Sequence, residues 1–236
     1  MSLGPNPSWM GLLQPAYLPW LGFFEQMLRD EVFVQYDDVQ YTKKDWRNRN
    51  RIKTPEGPMW LTVPVETSGR RFQLVRDVRI DPTKDWQREH LRALELNYRR
   101  APWFEWAYEP LRGVIEHPHE LLVDLDEALV VEISRLLGFE RPIHRATVYE
   151  LSDSDQNGRV IECMQKVGKS VLYNGAASRD IIDLPRFRAE GLDVVFQDYR
   201  HPVYPQLWGD FVPYLSVVDL LMNCGSDSLE IMASGG

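Results

Sequence analysis

A chain of 236 residues is long enough for one sizeable core, with or without a large insertion. Its 11% aromatic content, including 8 Trp, excludes disorder, no apolar run approaches the roughly 18 residues of a membrane span, and a net charge of −8 speaks against nonspecific nucleic-acid binding. Two cysteines, Cys163 and Cys224, are too few for a disulfide framework or a Cys-based zinc site. The first seven residues carry no signal-peptide pattern, so the expected location is the cytoplasm.

Met10, Leu12 and Leu13 predict a buried strand that ends at Gln14. Pro15, Pro19 and Gly22 then stiffen a turn, and Phe23 to Arg29 opens a helix. Tyr17 and Trp20 stand between the prolines, where short polar turn residues would suffice. With Phe23 they either plug the top of a core or wall a ligand site. Glu31 to Tyr36 predicts a second strand, parallel to the first. Asp37 and Asp38 would then share its C-terminal rim with the Gln14 loop, as a solvated turn pair or as ligands for sugar hydroxyls or a divalent ion.

The next stretch concentrates positive charge. Tyr41 to Lys53 holds six cations against one acid, leaving a balance of −13 for the rest of the chain. Arg47, Arg49, Arg51 and Lys53 recur at every second position, alternating with Trp46, Asn48, Asn50 and Ile52, so an extended conformation puts all four on one face. With Lys43 nearby, such a line suits a phosphate or carboxylate lying opposite. The plain alternative is a charged edge strand. Pro55-Glu56-Gly57 marks a turn, Met59 to Val65 and Arg76 to Ile80 read as strands, and Gly69-Arg70-Arg71 lies in an exposed loop whose arginines could reach a ligand.

Asp81-Pro82 reads as a helix start. Three helices are expected from there to Gly138, and their stripes (Trp86, Leu91, Leu94, Tyr98; Leu122, Leu125, Leu129, Ile133, Leu136) are core. Afterwards the α/β rhythm returns, with strands at 144–151, 170–173 and 192–197 and a helix at 157–166. Asn174 to Ser178 forms a small-residue turn without P-loop or dinucleotide spacing.

The last strand leads into a second aromatic and proline loop, where His201 is a candidate general base beside Tyr204 and Gln206. A helix from Pro213 to Asn223 is apolar except for Ser216, Asp219 and Asn223, which fall on one narrow stripe. That stripe either faces a buried polar site, with Asp219 as a second candidate base, or is the solvent face.

The segments Gln14 to Phe24, Asp37 to Tyr41, Trp46 to Lys53, Trp60 to Pro64, His201 to Gln206 and Leu215 to Leu221 together resemble the WbqC-like family. The resemblance spans nearly the whole chain. It implies a role in bacterial O-antigen or other surface-polysaccharide biosynthesis, making or decorating an activated sugar.

The resulting expectation is a Rossmann-like α/β fold with a mostly parallel sheet. Its two halves, residues 8–80 and 139–225, form one unit, residues 81–138 form a helical insertion, and 1–7 and 226–236 are flexible tails. The site would be walled by Tyr17, Trp20, Trp46 and Tyr204. A transferase would hold the phosphates of a nucleotide-activated sugar on Arg47, Arg49 and Lys53, with Gln14, Asp37, Asp38, Lys43, Asn48, Gln206, Ser216 and Asn223 around the substrate. His201 or Asp219 would deprotonate the attacking amine or hydroxyl. No nucleophile elbow is present, which disfavours a covalent mechanism. An acyl or aminoacyl transferase modifying an amino sugar and a non-catalytic module for acidic saccharides remain as alternatives.

Overall fold

The fold is described from a computed structural model over residues 4–70, 72–153 and 155–236. Five strands, β1 (Asn6–Leu13), β2 (Asp30–Gln35), β5 (Ile143–Arg145), β6 (Val171–Asn174) and β7 (Asp193–Phe196), form one sheet in the order β5-β2-β1-β6-β7. Every pairing in it is parallel. The remaining strands, β3 (Arg49–Thr54) and β4 (Gly57–Thr62), make a separate antiparallel hairpin. The order is that of a doubly wound sheet, in which the chain runs outward from β1 first to one side and then to the other.

Both faces of such a sheet must be covered. Alternation along β1 and β2 sends Met10, Leu12 and Val34 to one face, where they join Val160, Ile161 and Met164 of α5 (Gln156–Val167) and Phe187 of α6 (Leu184–Ala189). Phe33 points to the other face, into a larger core with α1 (Leu21–Arg29), α2 (Trp86–Tyr98), α3 (Phe104–Glu116), α4 (Leu122–Leu137) and α7 (Val217–Cys224). Helices α2 to α4 lie within residues 81–138, and their apolar stripes enter the same core as α1.

Several sequence expectations change at their edges. Asp81 does not cap α2; its carboxylate accepts from the Thr83 amide at 2.9 Å, and the helix starts at Trp86. Residues 76–80 form no strand: Val75–Asp77 is a 3-10 turn, and Arg79 and Ile80 make only isolated bridges. The strand expected to reach Leu151 stops at Arg145 and continues as a 3-10 turn. The last core helix begins at Val217 rather than Pro213, because the Ser216 hydroxyl accepts from the Val218 amide and caps it. Residues 228–233 are no frayed tail. They form α8 (Ser228–Ala233), with Met232 buried and its carbonyl accepting from the Tyr199 hydroxyl at 3.0 Å. Of the first seven residues, 1–3 lie outside the described residues, and β1 already includes Asn6.

Gly11 marks the tightest point of the sheet. A Cβ added there would run into the Asp30 carboxylate and to within 3.0 Å of the Phe33 ring. Both Asp30 oxygens are enclosed without a hydrogen-bond partner among the described residues, and burial, followed by the nearby Glu25, raises the carboxyl well above its ordinary range. Gly11→Ala should therefore lower the unfolding free energy by about 1–3 kcal/mol in a urea titration. An unchanged midpoint would mean that the Asp30 side chain moves aside freely.

Candidate functional site

The topological switch lies between β1 and β6, so the loop that leaves β1 occupies the place where doubly wound folds usually bind ligands. Here protein fills much of that place. Pro15, Tyr17, Leu18 and Pro19 are buried, and a buried loop needs partners for its backbone. The Tyr17 amide donates to the Trp46 carbonyl at 3.1 Å, the Asn50 side-chain amide donates to the Leu18 carbonyl at 2.7 Å, and the Val217 amide donates to the Pro19 carbonyl at 2.9 Å. Leu18 is held in the left-handed region with φ 44. Arg47 closes the arrangement, donating to the Gln14 side chain and to Asp45. The β3-β4 hairpin thus sits on the Gln14–Trp20 loop.

This docking sorts the basic line. Strand β3 starts at Arg49, so Arg47 belongs to the preceding turn and pairs with Asp45. Arg49 and Arg51 project from the outer face of the hairpin. The Arg49 guanidinium carbon lies 4.2 Å from the Trp60 ring centre, and that of Arg51 lies 5.7 Å from Trp60 and 5.9 Å from Trp46. The two indoles are 5.3 Å apart and remain 46% and 42% exposed. Beyond its stacking, Arg49 donates to the Lys44 carbonyl, and Arg51 donates to the Tyr214 carbonyl at 3.2 Å. Neither has a carboxylate partner among the described residues.

The face continues past Tyr214, which is 51% exposed and held at φ 58. Its ring lies 5.8 Å from Trp20 and 5.2 Å from His201. His201 Nδ1 is 2.9 Å from the Pro202 carbonyl, which can only accept, so Nδ1 carries the proton and Nε2 keeps its lone pair. Nε2 is enclosed without a partner among the described residues, and burial lowers the imidazole pKa.

Lys53 goes the other way. It is 1% exposed, and its ammonium donates to Gln206 Oε1 at 3.0 Å and to the Asp210 carbonyl at 2.5 Å. Gln206 in turn donates to Asp219 at 2.8 Å, and the Tyr98 hydroxyl donates to the same carboxylate at 2.9 Å while accepting from the Lys53 amide. The Tyr204 hydroxyl sits in the field of Asp219 without a hydrogen bond of ordinary geometry. Asp219 is fully buried, and desolvation pushes it up to about 6 against the hydrogen bonds of Tyr98 and Gln206 and the Lys53 charge. This network latches the strap of residues 198–216 to the hairpin.

Other expected site residues are engaged in the fold. Tyr17 is fully buried, with its hydroxyl 2.8 Å from His90 Nδ1. Asp37 accepts from the amide and hydroxyl of Thr147, and Asp38 pairs with Arg76 and Arg159, so neither presents a free carboxylate to sugar hydroxyls or a divalent ion. No group of three or more His, Cys, Asp or Glu among the described residues could hold a metal ion. Asn48 donates to the Val63 carbonyl at the hairpin base. The Ser216, Asp219 and Asn223 stripe is buried, with Asn223 donating back to the Asp219 carbonyl. Lys43 is exposed on the turn beside Tyr41.

The model of the WbqC-like protein family matches residues 14–231, which takes in the loop, the hairpin, the strap and α7. The chain belongs to the WbqC-like protein family. It is 38% identical over 225 residues to the uncharacterized protein Rv1507c of Mycobacterium tuberculosis (strain ATCC 25618 / H37Rv), covering 94% of this chain and 96% of that protein. No solved structure matches the chain significantly. Among the described residues no helix is long and apolar enough to cross a membrane.

Trp60 and Tyr214 were not among the expected site residues of this family member, and Arg51 was expected only as one of the four cations of the basic line. For Trp60 and Arg51 a signal existed: a two-residue turn at Pro55-Glu56 pairs Thr54 with Gly57 and sets Arg51 directly opposite Trp60. Tyr214 lies in a strap without periodicity.

The buried network can be tested by pH. The folded Asp219 carboxyl keeps its proton between about pH 4 and 6 while the unfolded one releases it, so wild type should lose stability relative to Asp219→Asn as pH rises through that window. Urea titrations at pH 4 and pH 7 should show the difference between the two proteins changing by roughly 2–3 kcal/mol. A pH-independent difference would mean that Asp219 is as well solvated when folded as when unfolded.

Proposed function

We propose that this WbqC-like chain is a transferase of bacterial O-antigen or related surface-polysaccharide biosynthesis, acting on a phosphate-bearing, nucleotide-activated sugar. One observation carries the reading: Arg49 and Arg51 stack on Trp60 and Trp46 and have no carboxylate opposite them among the described residues. Each of these guanidinium groups gives one terminal nitrogen to a backbone carbonyl and encloses its Nε, which leaves the other terminal nitrogen to donate to a phosphate. The flanking indoles and the Tyr214 ring offer flat apolar surfaces for sugar C–H faces or a base.

In this reading the donor's phosphates rest on Arg49 and Arg51 and its sugar lies toward Tyr214. His201 Nε2 takes the proton of the acceptor hydroxyl or amine as that atom bonds to the anomeric carbon. The bond from that carbon to phosphate oxygen breaks, and the nucleotide leaves with its negative charge held by the two arginines. Nε2 is enclosed between aromatic rings, so the Tyr214 side of the strap must shift for the proton to pass. Lys53, Gln206 and Asp219 act as positioning residues that anchor this strap.

The test compares wild type with Arg49→Ala/Arg51→Ala in calorimetric titrations with nucleoside diphosphates, nucleotide sugars and pyrophosphate. The variant should bind the preferred phosphate compound at least about tenfold more weakly, because each charge-assisted hydrogen bond contributes roughly 1.5–3 kcal/mol. Equal binding by both proteins, or no binding of any phosphate compound to wild type, would refute the donor site.

A second variant separates catalysis from recognition. His201→Asn should retain binding while nucleotide release from the donor falls at least about 100-fold, the usual weight of a general base. Full turnover in His201→Asn would remove the imidazole from the reaction, and binding without any turnover in wild type would favour a saccharide-binding module.

A further inference from the structure

A cleft of about 670 Å³ is lined by Gln40, Tyr41, Thr42 and Lys43, just before the turn that carries Trp46, and by Thr67, Gly69 and Arg70. Its back is fixed. The Tyr41 amide donates to the Gln73 carbonyl at 3.0 Å, Gln40 bridges Leu74, and the Gln73 side chain donates to the Glu66 carbonyl at 3.1 Å. The lip at Gly69 is open, with φ 72 and nothing near the position of an added Cβ.

The charged residues that line the cleft are cations. Among the described residues no acid lines it, and the Lys43 ammonium has no hydrogen bond or ion pair. Arg70 spends one nitrogen on Glu66 at 2.9 Å, an exposed pair that water screens and a ligand can displace. Asp45, the acid of the adjoining turn, is already committed to Thr42, the Trp46 amide and Arg47. Glu66 and Asp45 therefore leave Lys43 uncompensated. Around the two cations, Gln40, Thr42 and Thr67 supply neutral hydrogen-bonding groups, and Tyr41 a buried aromatic floor.

We infer that this cleft is a second binding site, for a polyhydroxylated anion: a sugar bearing a phosphate or a carboxylate, with the anionic group between Lys43 and Arg70 and the hydroxyls on Gln40, Thr42 and Thr67. The Arg49/Arg51 face is joined to the segment that lines the cleft, since Arg49 donates to the carbonyl of Lys44, the neighbour of Lys43. Two cationic sites near one turn suit an enzyme with an anionic donor and an anionic acceptor. As a sugar site the cleft stands by itself; as the acceptor site it rests on the transferase reading.

The experiment titrates full-length wild type, Lys43→Ala/Arg70→Ala, Lys43→Glu and Arg49→Ala/Arg51→Ala with glucose 6-phosphate, glucuronate, glucose and inorganic phosphate, observed by ligand-detected NMR. The expected result is that one or both charged sugars bind wild type at least tenfold more tightly than glucose or inorganic phosphate. That binding should weaken tenfold or more in both Lys43 variants and stay within twofold in Arg49→Ala/Arg51→Ala. Glucose 6-phosphate alone would identify a phosphate-bearing ligand, glucuronate alone a carboxylate. The inference is overturned if neither charged sugar binds wild type, if the Lys43 variants bind unchanged, or if the arginine pair on the hairpin face proves to hold the sugar instead. Because Lys43 and Arg70 are exposed, the variants should melt within a degree or two of wild type. The transferase reading fails separately, if Arg49→Ala/Arg51→Ala binds nucleoside diphosphates and nucleotide sugars as tightly as wild type.

Discussion

The architecture depends on how a buried, proline-stiffened loop satisfies its own backbone. Residues 15–19 cannot form a helix or a ladder, because Pro15 and Pro19 lack amides and Leu18 sits at a positive φ. Their polar groups are claimed from outside, by Asn50 on the hairpin, by the Trp46 carbonyl, and by Val217 at the start of α7. Leaving one such group unpaired in the interior costs about 1–3 kcal/mol. The loop therefore recruits the hairpin and α7 to the same rim.

That recruitment moves the chemistry. In an open doubly wound sheet the crevice at the strand ends is available to a ligand. With Tyr17 sunk into the core and Arg47 tied to Gln14 and Asp45, the loop side of the rim becomes an interface within the protein. Cations that would have lined it appear instead on the hairpin's outer face, at Arg49 and Arg51, and in the cleft at Lys43.

Much of this was legible in the sequence. The apolar runs at 10–13, 31–36 and 192–197 and the stripes of residues 86–137 specify strands and core helices by period alone, and they fold as such. The polar stripe of α7 is buried, as its position on an apolar helix suggested. What period cannot supply is a partner distant in sequence. Lys53 shares its register with Arg49 and Arg51, yet it is buried, because Gln206 and the carbonyls of 209 and 210 lie over its end of the strand. Tyr17 and Tyr204 are likewise core residues that composition cannot distinguish from site aromatics. Trp60 was recoverable from the turn register, whereas Tyr214 was not, since the strap that carries it follows no period.

The arginines on the hairpin face are not unpaired for want of acids. The chain has 35 Asp and Glu against 27 Lys and Arg, and Asp45 lies inside the basic segment, with Glu66 farther along the chain. Those acids are directed to Arg47 and Arg70, and Trp60 and Trp46 take the faces of Arg49 and Arg51. Stacking on an indole at an exposed position contributes only about 0.5–1 kcal/mol, less than a well-formed hydrogen-bonded pair with a carboxylate. The arrangement therefore forgoes internal neutralisation while keeping the guanidinium edges oriented. Two like charges held in register repel until something anionic lies across them, and an external phosphate satisfies that condition with little reorganisation of the hairpin.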